Sequence, residues 1–404
     1  MSRLILSGKE VCAVSSHRDA LVPQLPDMLA ATRSLVEIDS GSGFKSGVDR
    51  VGLHFGTMLR GLGFSVETVP QSDSGDFVCA EIRLGGTGGL LIAGHLDTVW
   101  PEGTASTWRF SHDDEFATGP GVGDMKSALV MAFFAARRLL ASGFNSLGFI
   151  RFLLVPDEEV GSVRSRSLIE ERARDCDWAL VLEPARPGGG VVTARGTVGA
   201  FVLTATGITA HCAHNYKDGA SAVRELAQKV VELESLSRPD LKEIVNVGIF
   251  DGGTARQVVP GCASMHIDLR APRMQQATKL VSDIERIAGR ARDDRVVTTL
   301  SGGITRPGYG REQNRELFAI AETIASELGI PFFEAPPTSG GSDANIIAAL
   351  GIPTLDGIGP TCWDMCSARE RIEVRSLIDR AALFCGVVEC LGRPHTTTEP
   401  HFRG

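Results

Sequence analysis

The chain has 404 residues, 43% hydrophobic and 22% charged, with a formal net charge of −8. That length and balance fit a globular protein with two domains, and an acidic chain without a basic run is poorly suited to nucleic acid or an anionic membrane. The nine cysteines are scattered and odd in number. They read as reduced thiols of a cytoplasmic protein rather than as a disulfide framework. The opening MSRLILSGKEV is too short in apolar residues for a signal peptide, and no run approaches the roughly 20 apolar residues of a membrane span.

Short apolar runs alternating with helical patterns predict an α/β protein. Residues 90–93, 149–155 and 178–182 read as buried strands, closed by Gly94, Pro156 and Glu183-Pro184. Between the first two, residues 126–142 predict a helix, with Leu129, Phe133, Ala136 and Leu140 at helical spacing and Gly143 as its stop. Residues 196–303 change texture. A strand, a helix around 220–236, strands near 245–250 and 263–269, a helix near 274–292 and a strand near Val296 follow in order. This order predicts a ferredoxin-like α+β domain inserted into the larger one. The chain would re-enter the larger domain near Tyr309. A helix over 315–328 then has Asn314 as its cap and Gly329 as its end.

Chemistry-bearing residues fall at the ends of these strands, where α/β sheets collect their sites. In GHLDTV, His95 and Asp97 are two apart, which on an extended segment puts both on one side. An imidazole ligand oriented by a carboxylate fits that spacing. In GPGVGDMKSA, Gly119, Gly121 and Gly123 permit unusual turns before a helix and deliver Asp124, a carboxylate suited to bridging two cations. In VPDEEVGS, the adjacent Glu158 and Glu159 point apart, so one can bind a metal while the other acts as a general base. Glu183 closes the third strand. Oxygen ligands with one imidazole suit Zn²⁺, Mn²⁺ or Co²⁺, and such an ion beside a glutamate is the apparatus of amide hydrolysis. Each piece has a plainer reading: a surface HxD, a solvated acidic loop, a glycine turn that is only a turn or a phosphate cradle. Their shared order along the strands points to one site.

These motifs, with LVLEPA, GITAHCAHNYKDGASA, GGTARQVVP, DLR and GGSDANIIAALGIPTLDGIGP, resemble the metal-dependent glutamate carboxypeptidase, aminoacylase and succinyl-diaminopimelate desuccinylase family, closest to its glutamate carboxypeptidase branch. The resemblance runs from Ile38 to Val374. It implies a zinc-peptidase-like catalytic domain over 1–195 and 310–404, and an inserted lid and dimerisation domain over 196–309. His95 and Glu183 would bind one metal, Asp124 would bridge, and Glu159 would bind the second. Glu158 would be the general base, and Asp97 would hold the His95 ring. The Asp124-Met125 peptide would be cis. His211 would stabilise the oxyanion, with an ordinary surface histidine as the alternative. Arg270 would grip the substrate carboxylate, and Gly340, Gly341 and Ser342 would lie beside the substrate. Asp343 and Asn345 are read as caps of the following helix.

Two positions depart from the family pattern. Cys366, followed by Ser367 and Glu370, stands where the last metal-ligand histidine is expected, and Gln257 stands where an asparagine is usual. Three readings of Cys366 are open. The first is a zinc-binding thiolate. The second is a weak or empty second site, with one metal on His95, Asp124 and Glu183. The third is a scaffold that has left hydrolysis. Asp364 and Cys362 are candidate substitute ligands, and His395 and His401 remote ones. The expected function is metal-dependent cleavage of the amide of an N-acyl amino acid or dipeptide-like substrate with a free carboxylate, by a zinc enzyme (manganese or cobalt possible) that forms a homodimer. The alternatives are non-hydrolytic acyl or carbonyl chemistry and a non-catalytic small-molecule binding protein.

Overall fold

A computed structural model describes residues 8–392; His395 and His401 lie outside the described residues. The chain divides into two units, one of 1–193, 311–336 and 346–404 and the other of 194–310 and 337–345. The smaller unit therefore also takes up 337–345, beyond the 196–309 expected from the sequence. Its Asn345 holds it there, donating to the carbonyls of Gly196 and Pro307.

The larger unit is built on a six-stranded sheet. In spatial order its strands are Ser65–Val69, Phe77–Arg83, Phe149–Val155, Gly89–His95, Trp178–Val181 and Thr354–Asp356. The last four run parallel, with His95 opposite Val155 and Val181 opposite both Ala93 and Asp356. Their carboxyl ends therefore share one edge. The central strand Gly89–His95 is buried along its whole length, as expected for a parallel strand covered on both faces.

Two helices anchor the packing. Ser127–Ala141 has a nearly continuous run of buried residues, and Val374–Leu391 is buried almost all round, the pattern of an interior helix. The predicted strands and the helix over 127–141 are present within one or two residues. Asn314 precedes the helix Arg315–Leu328 but does not cap it through its side chain. It is buried, and its amide instead ties Thr193 O (2.7 Å) to Thr354 N–H (2.7 Å). Among the described residues no helix is long and apolar enough to cross a membrane.

The smaller unit has the order strand, helix, strand, strand, helix, strand. Its fully antiparallel sheet is ordered Ile244–Gly252, Cys262–Ala271, Thr197–Thr206, Val297–Arg306. This is the ferredoxin-like arrangement. Helices Ala222–Glu234 and Met274–Gly289 pack on this sheet and on each other, so the sheet's inward residues alternate with exposed ones. The first helix is capped by Ser221, whose Oγ accepts the Arg224 N–H at 3.1 Å. Under it lies a buried ion pair, Lys229 Nζ to Glu225 Oε1 at 3.2 Å. Arg195 and Tyr309, where the unit begins and ends, exchange backbone hydrogen bonds.

Candidate metal centre

The parallel strands bring His95, Asp97, Asp124, Glu158, Glu159, Glu183 and Cys366 together in the larger unit. His95 closes the central strand, and its ring is clamped at both nitrogens. Nε2 is 2.9 Å from Asp124 Oδ1, and Nδ1 is 2.9 Å from the Asp97 carbonyl oxygen. Glu183 Oε1 lies 4.0 Å from Nε2. Donor atoms of His95, Glu158 and Glu183 fall within 4.8 Å of one another, as do those of His95, Asp124 and Glu159.

Asp97 meets the His95 ring with two groups: its backbone carbonyl is the closer partner, and its carboxylate is 3.5 Å from Nδ1. The carboxylate also accepts the N–H groups of Glu158 (3.1 Å) and Glu159 (3.2 Å) and the Ser42 hydroxyl (2.6 Å). It thereby satisfies the first donors of the short Glu158–Val160 turn and fixes both glutamates at once.

Asp124 sits in an irregular turn, Val122–Lys126, and the regular helix starts only at Ser127. The Asp124-Met125 peptide is cis. The glycines before it are sterically required. Gly121 has φ +72°, and a Cβ there would lie 2.5 Å from Thr98 Cγ2; a Cβ on Gly123 would lie 2.2 Å from Cys362 Sγ. Glu370, fully buried, locks this turn. Its Oε1 accepts the N–H of Gly123 (2.8 Å) and Asp124 (3.2 Å), and its Oε2 accepts the N–H of Cys366 (3.2 Å). Lys126, also buried, donates to Ile38 O at 2.7 Å. Its GDMK context gave no hint of that tie.

The electrostatics are those of a cation site. Burial, reinforced by the Asp124 charge, pushes Glu159 up to about 9 and Glu183 well above the carboxylate range. Burial also lifts Glu370 to about 7. At His95 burial opposes the charged ring, but Asp124 and Asp97 outweigh it and hold its pKa well above the usual value. So many buried carboxylates cannot all ionise without a compensating charge, and Glu159 Oε1 is buried with no hydrogen-bond partner among the described residues. Oxygen donors grouped around one imidazole therefore fit divalent ions.

The remaining predicted residues lie in the smaller unit. His211 is on a two-stranded ribbon opposite Val258, and the carbonyl of the adjoining Gln257 accepts the Cys212 N–H at 3.0 Å. The His211 ring is exposed and lies 4.5 Å from that of His214. Arg270 is already gripped. Its Nε and Nη2 donate to the Asp268 carboxylate (2.7 and 2.9 Å), and Nη1 donates to Ser339 O at 3.2 Å. The carbonyls of Gly340 and Gly341 accept from Arg195. At the start of the 344–348 helix the Ser342 Oγ accepts the Ala344 N–H (3.1 Å) and the Asn345 Oδ1 accepts the Ser342 N–H (3.1 Å). Asp343 pairs with the buried Arg306 at 2.8 Å.

The sequence profile of Peptidase family M20/M25/M40 matches residues 91–389. Carboxypeptidase G2 of Pseudomonas sp. (strain RS-16) is 28% identical over 364 residues, 86% of each chain. Succinyl-diaminopimelate desuccinylase of Xanthomonas oryzae pv. oryzae (strain PXO99A) is 28% identical over 348 residues, 78% of this chain and 90% of that one. The crystal structure of aminopeptidase PepT from Bacillus cereus ATCC 10987 shares the fold, with a TM-score of 0.72 at 23% identity, covering 91% of this chain and 99% of that chain. Site chemistry, profile and fold agree: the chain belongs to Peptidase family M20/M25/M40 and is a metal-dependent hydrolase of amide bonds.

Proposed function

We propose that the protein cleaves the amide of an N-acyl amino acid or dipeptide-like substrate that carries a free carboxylate, using two divalent ions, zinc first among them, with manganese or cobalt as possible replacements. One observation carries the reading. The N–H groups of Glu158 and Glu159 are pinned by the same Asp97 carboxylate, while their side chains join different donor groups, one with His95 and Glu183, the other with His95 and Asp124. Adjacent glutamates held this way divide into a base and a ligand.

His95, Asp124 and Glu183 would hold one ion, and Asp124 and Glu159 would contribute to the other. When bound, the ions supply Lewis acidity that polarises the scissile carbonyl and acidifies a water. Glu158 would take the proton of the attacking water and pass it to the departing amine. Asp97 keeps Glu158 within reach by holding its backbone. In the smaller unit, Arg270 would recognise the substrate carboxylate, with the neighbouring Gly340, Gly341 and Ser342 shaping that end of the substrate and Asp268 fixing the plane of the guanidinium. His211, with Gln257 just before the paired strand, would stabilise the charge that develops on the carbonyl oxygen.

Likeness to carboxypeptidase G2 and to the desuccinylase supports a substrate in which an acyl group is removed from an amino acid. Family membership favours hydrolysis over non-hydrolytic chemistry or binding alone. A homodimer through 196–309 is part of the proposal. It is supported by the exposed edge strand Ile244–Gly252, where Ile249 and Phe250 are 52% and 38% exposed and unpaired strand edges favour association. A cytoplasmic location is proposed from the free thiols.

The test is Glu158→Gln. It should abolish turnover of N-acyl amino acids while leaving metal content unchanged. Full activity in that variant would remove Glu158 from the mechanism.

A further inference from the structure

We infer that Cys366 supplies a thiolate to the second metal position, making the two positions chemically unequal and biasing the second toward thiophilic ions such as zinc, cobalt or cadmium and away from manganese. The inference rests on the two-ion hydrolytic reading above and deepens it.

Asp124 presents its oxygens to different partners. Oδ1 is 2.9 Å from His95 Nε2, and Oδ2 is 3.4 Å from Cys366 Sγ. A carboxylate with nitrogen on one oxygen and sulfur on the other is arranged to bridge two ions that have different terminal ligands. Cys366 is outside both tight donor groups and meets one of them, that of His95, Asp124 and Glu159, through the Asp124 carboxylate. Glu159, whose buried Oε1 has no hydrogen-bond partner among the described residues, lies beside Asp124 in the same cluster.

The backbone holds the sulfur in place. Cys366 has φ +58°, a left-handed conformation uncommon for a side-chain-bearing residue. Its N–H is gripped by the same Glu370 carboxylate that grips the N–H groups of Gly123 and Asp124. One buried side chain thus fixes the backbones of both the bridging aspartate and the cysteine.

The neighbouring candidates are occupied elsewhere. The Asp364 carboxylate pairs with Arg371 (3.0 Å) and Arg369 (3.5 Å). The Cys362 thiol donates to Trp363 O at 3.5 Å and packs against Gly123.

Metal uptake breaks the S–H bond. The proton leaves to solvent, and the sulfur lone pair forms the bond to the cation, with no change in oxidation state. A soft thiolate favours zinc and its analogues, whereas manganese prefers oxygen donors.

The experiment loads chelated full-length protein with cobalt(II) and reads metal content together with the optical spectrum. The expected result is two cobalt ions per chain with a thiolate-to-cobalt charge-transfer absorption in the near ultraviolet. Cys366→Ala should lose the band together with the second cobalt. Cys366→His should keep both ions, lack the band, and lose the preference for zinc over manganese in competition. Two cobalt ions without the band, one cobalt ion without it, or a band that survives in Cys366→Ala would overturn the assignment to Cys366. Of these, the two-cobalt result would leave the two-ion hydrolase intact. Failure to bind any cobalt would overturn both readings.

Discussion

Glu370 offers a sharp test of how the centre is held together. Its carboxylate is fully buried and accepts three backbone N–H groups, those of Gly123, Asp124 and Cys366. In Glu370→Gln one oxygen becomes an amide NH2. If the remaining oxygen serves Gly123 and Asp124, the amide faces the Cys366 N–H, donor against donor; the flipped amide abandons the other pair. Either way at least one N–H held by this carboxylate loses its acceptor, at a cost of up to about 1–3 kcal/mol for the buried Gly123 or Asp124 and less for the exposed Cys366. Because the lost bonds are local, amide hydrogen exchange followed by mass spectrometry on the chelated protein is the suitable readout. Peptides spanning 119–126 and 362–370 should exchange up to about 150-fold faster in the variant, the same free energy expressed as a ratio. Glu370→Ala removes all three acceptors and should exceed the Gln variant in both peptides. Equal protection in wild type and Glu370→Ala would refute the idea that this carboxylate ties the two segments.

Three further outcomes follow from the geometry. In the metal-free protein Glu159 is raised to about 9, Glu370 to about 7, and Glu183 and His95 well above their ordinary values. All four folded values lie above the unfolded ones, so their stabilisation is complete at low pH and is lost as pH rises through the folded values. Thermal melts in chelator should therefore fall between about pH 5 and pH 9, and added zinc should flatten the slope; a midpoint that rises across that range would contradict the assignment. Gly123→Ala would put a Cβ 2.2 Å from Cys362 Sγ. It should cost about 1–3 kcal/mol through overpacking and weaken metal retention, with Cys362→Ala recovering part of the loss in equilibrium dialysis; no effect of Gly123→Ala would mean the turn has room to spare. Lys229→Met removes the cation from the buried Glu225 carboxylate, which keeps the Arg292 N–H, and should cost about 3–5 kcal/mol, in the manner of a broken buried ion pair. Urea unfolding followed by a probe in the smaller unit measures it, and an unchanged midpoint would show that Glu225 finds another partner.

Sequence alone specified the α/β architecture and the inserted ferredoxin-like unit, because apolar periodicity and glycine punctuation are local properties. It also marked His95, Asp124, Glu158, Glu159 and Glu183, since each lies at or just past a strand end or follows a glycine-rich turn and parallel strands gather their carboxyl ends at one edge; Cys366 was marked only by the family resemblance. Partner choice among polar side chains was not legible. Asp97 holds the Glu158–Glu159 turn as well as the imidazole, and Asn314 braces two distant backbone segments instead of capping its helix. Asp343 and Asn345 serve an arginine and two carbonyls, and Glu370 joins segments nearly 250 residues apart. These pairings decide the geometry of the site, and each depends on which donor and acceptor become buried together. Only the tertiary structure determines that, because an unsatisfied polar group inside a folded chain takes whatever partner the packing brings within reach.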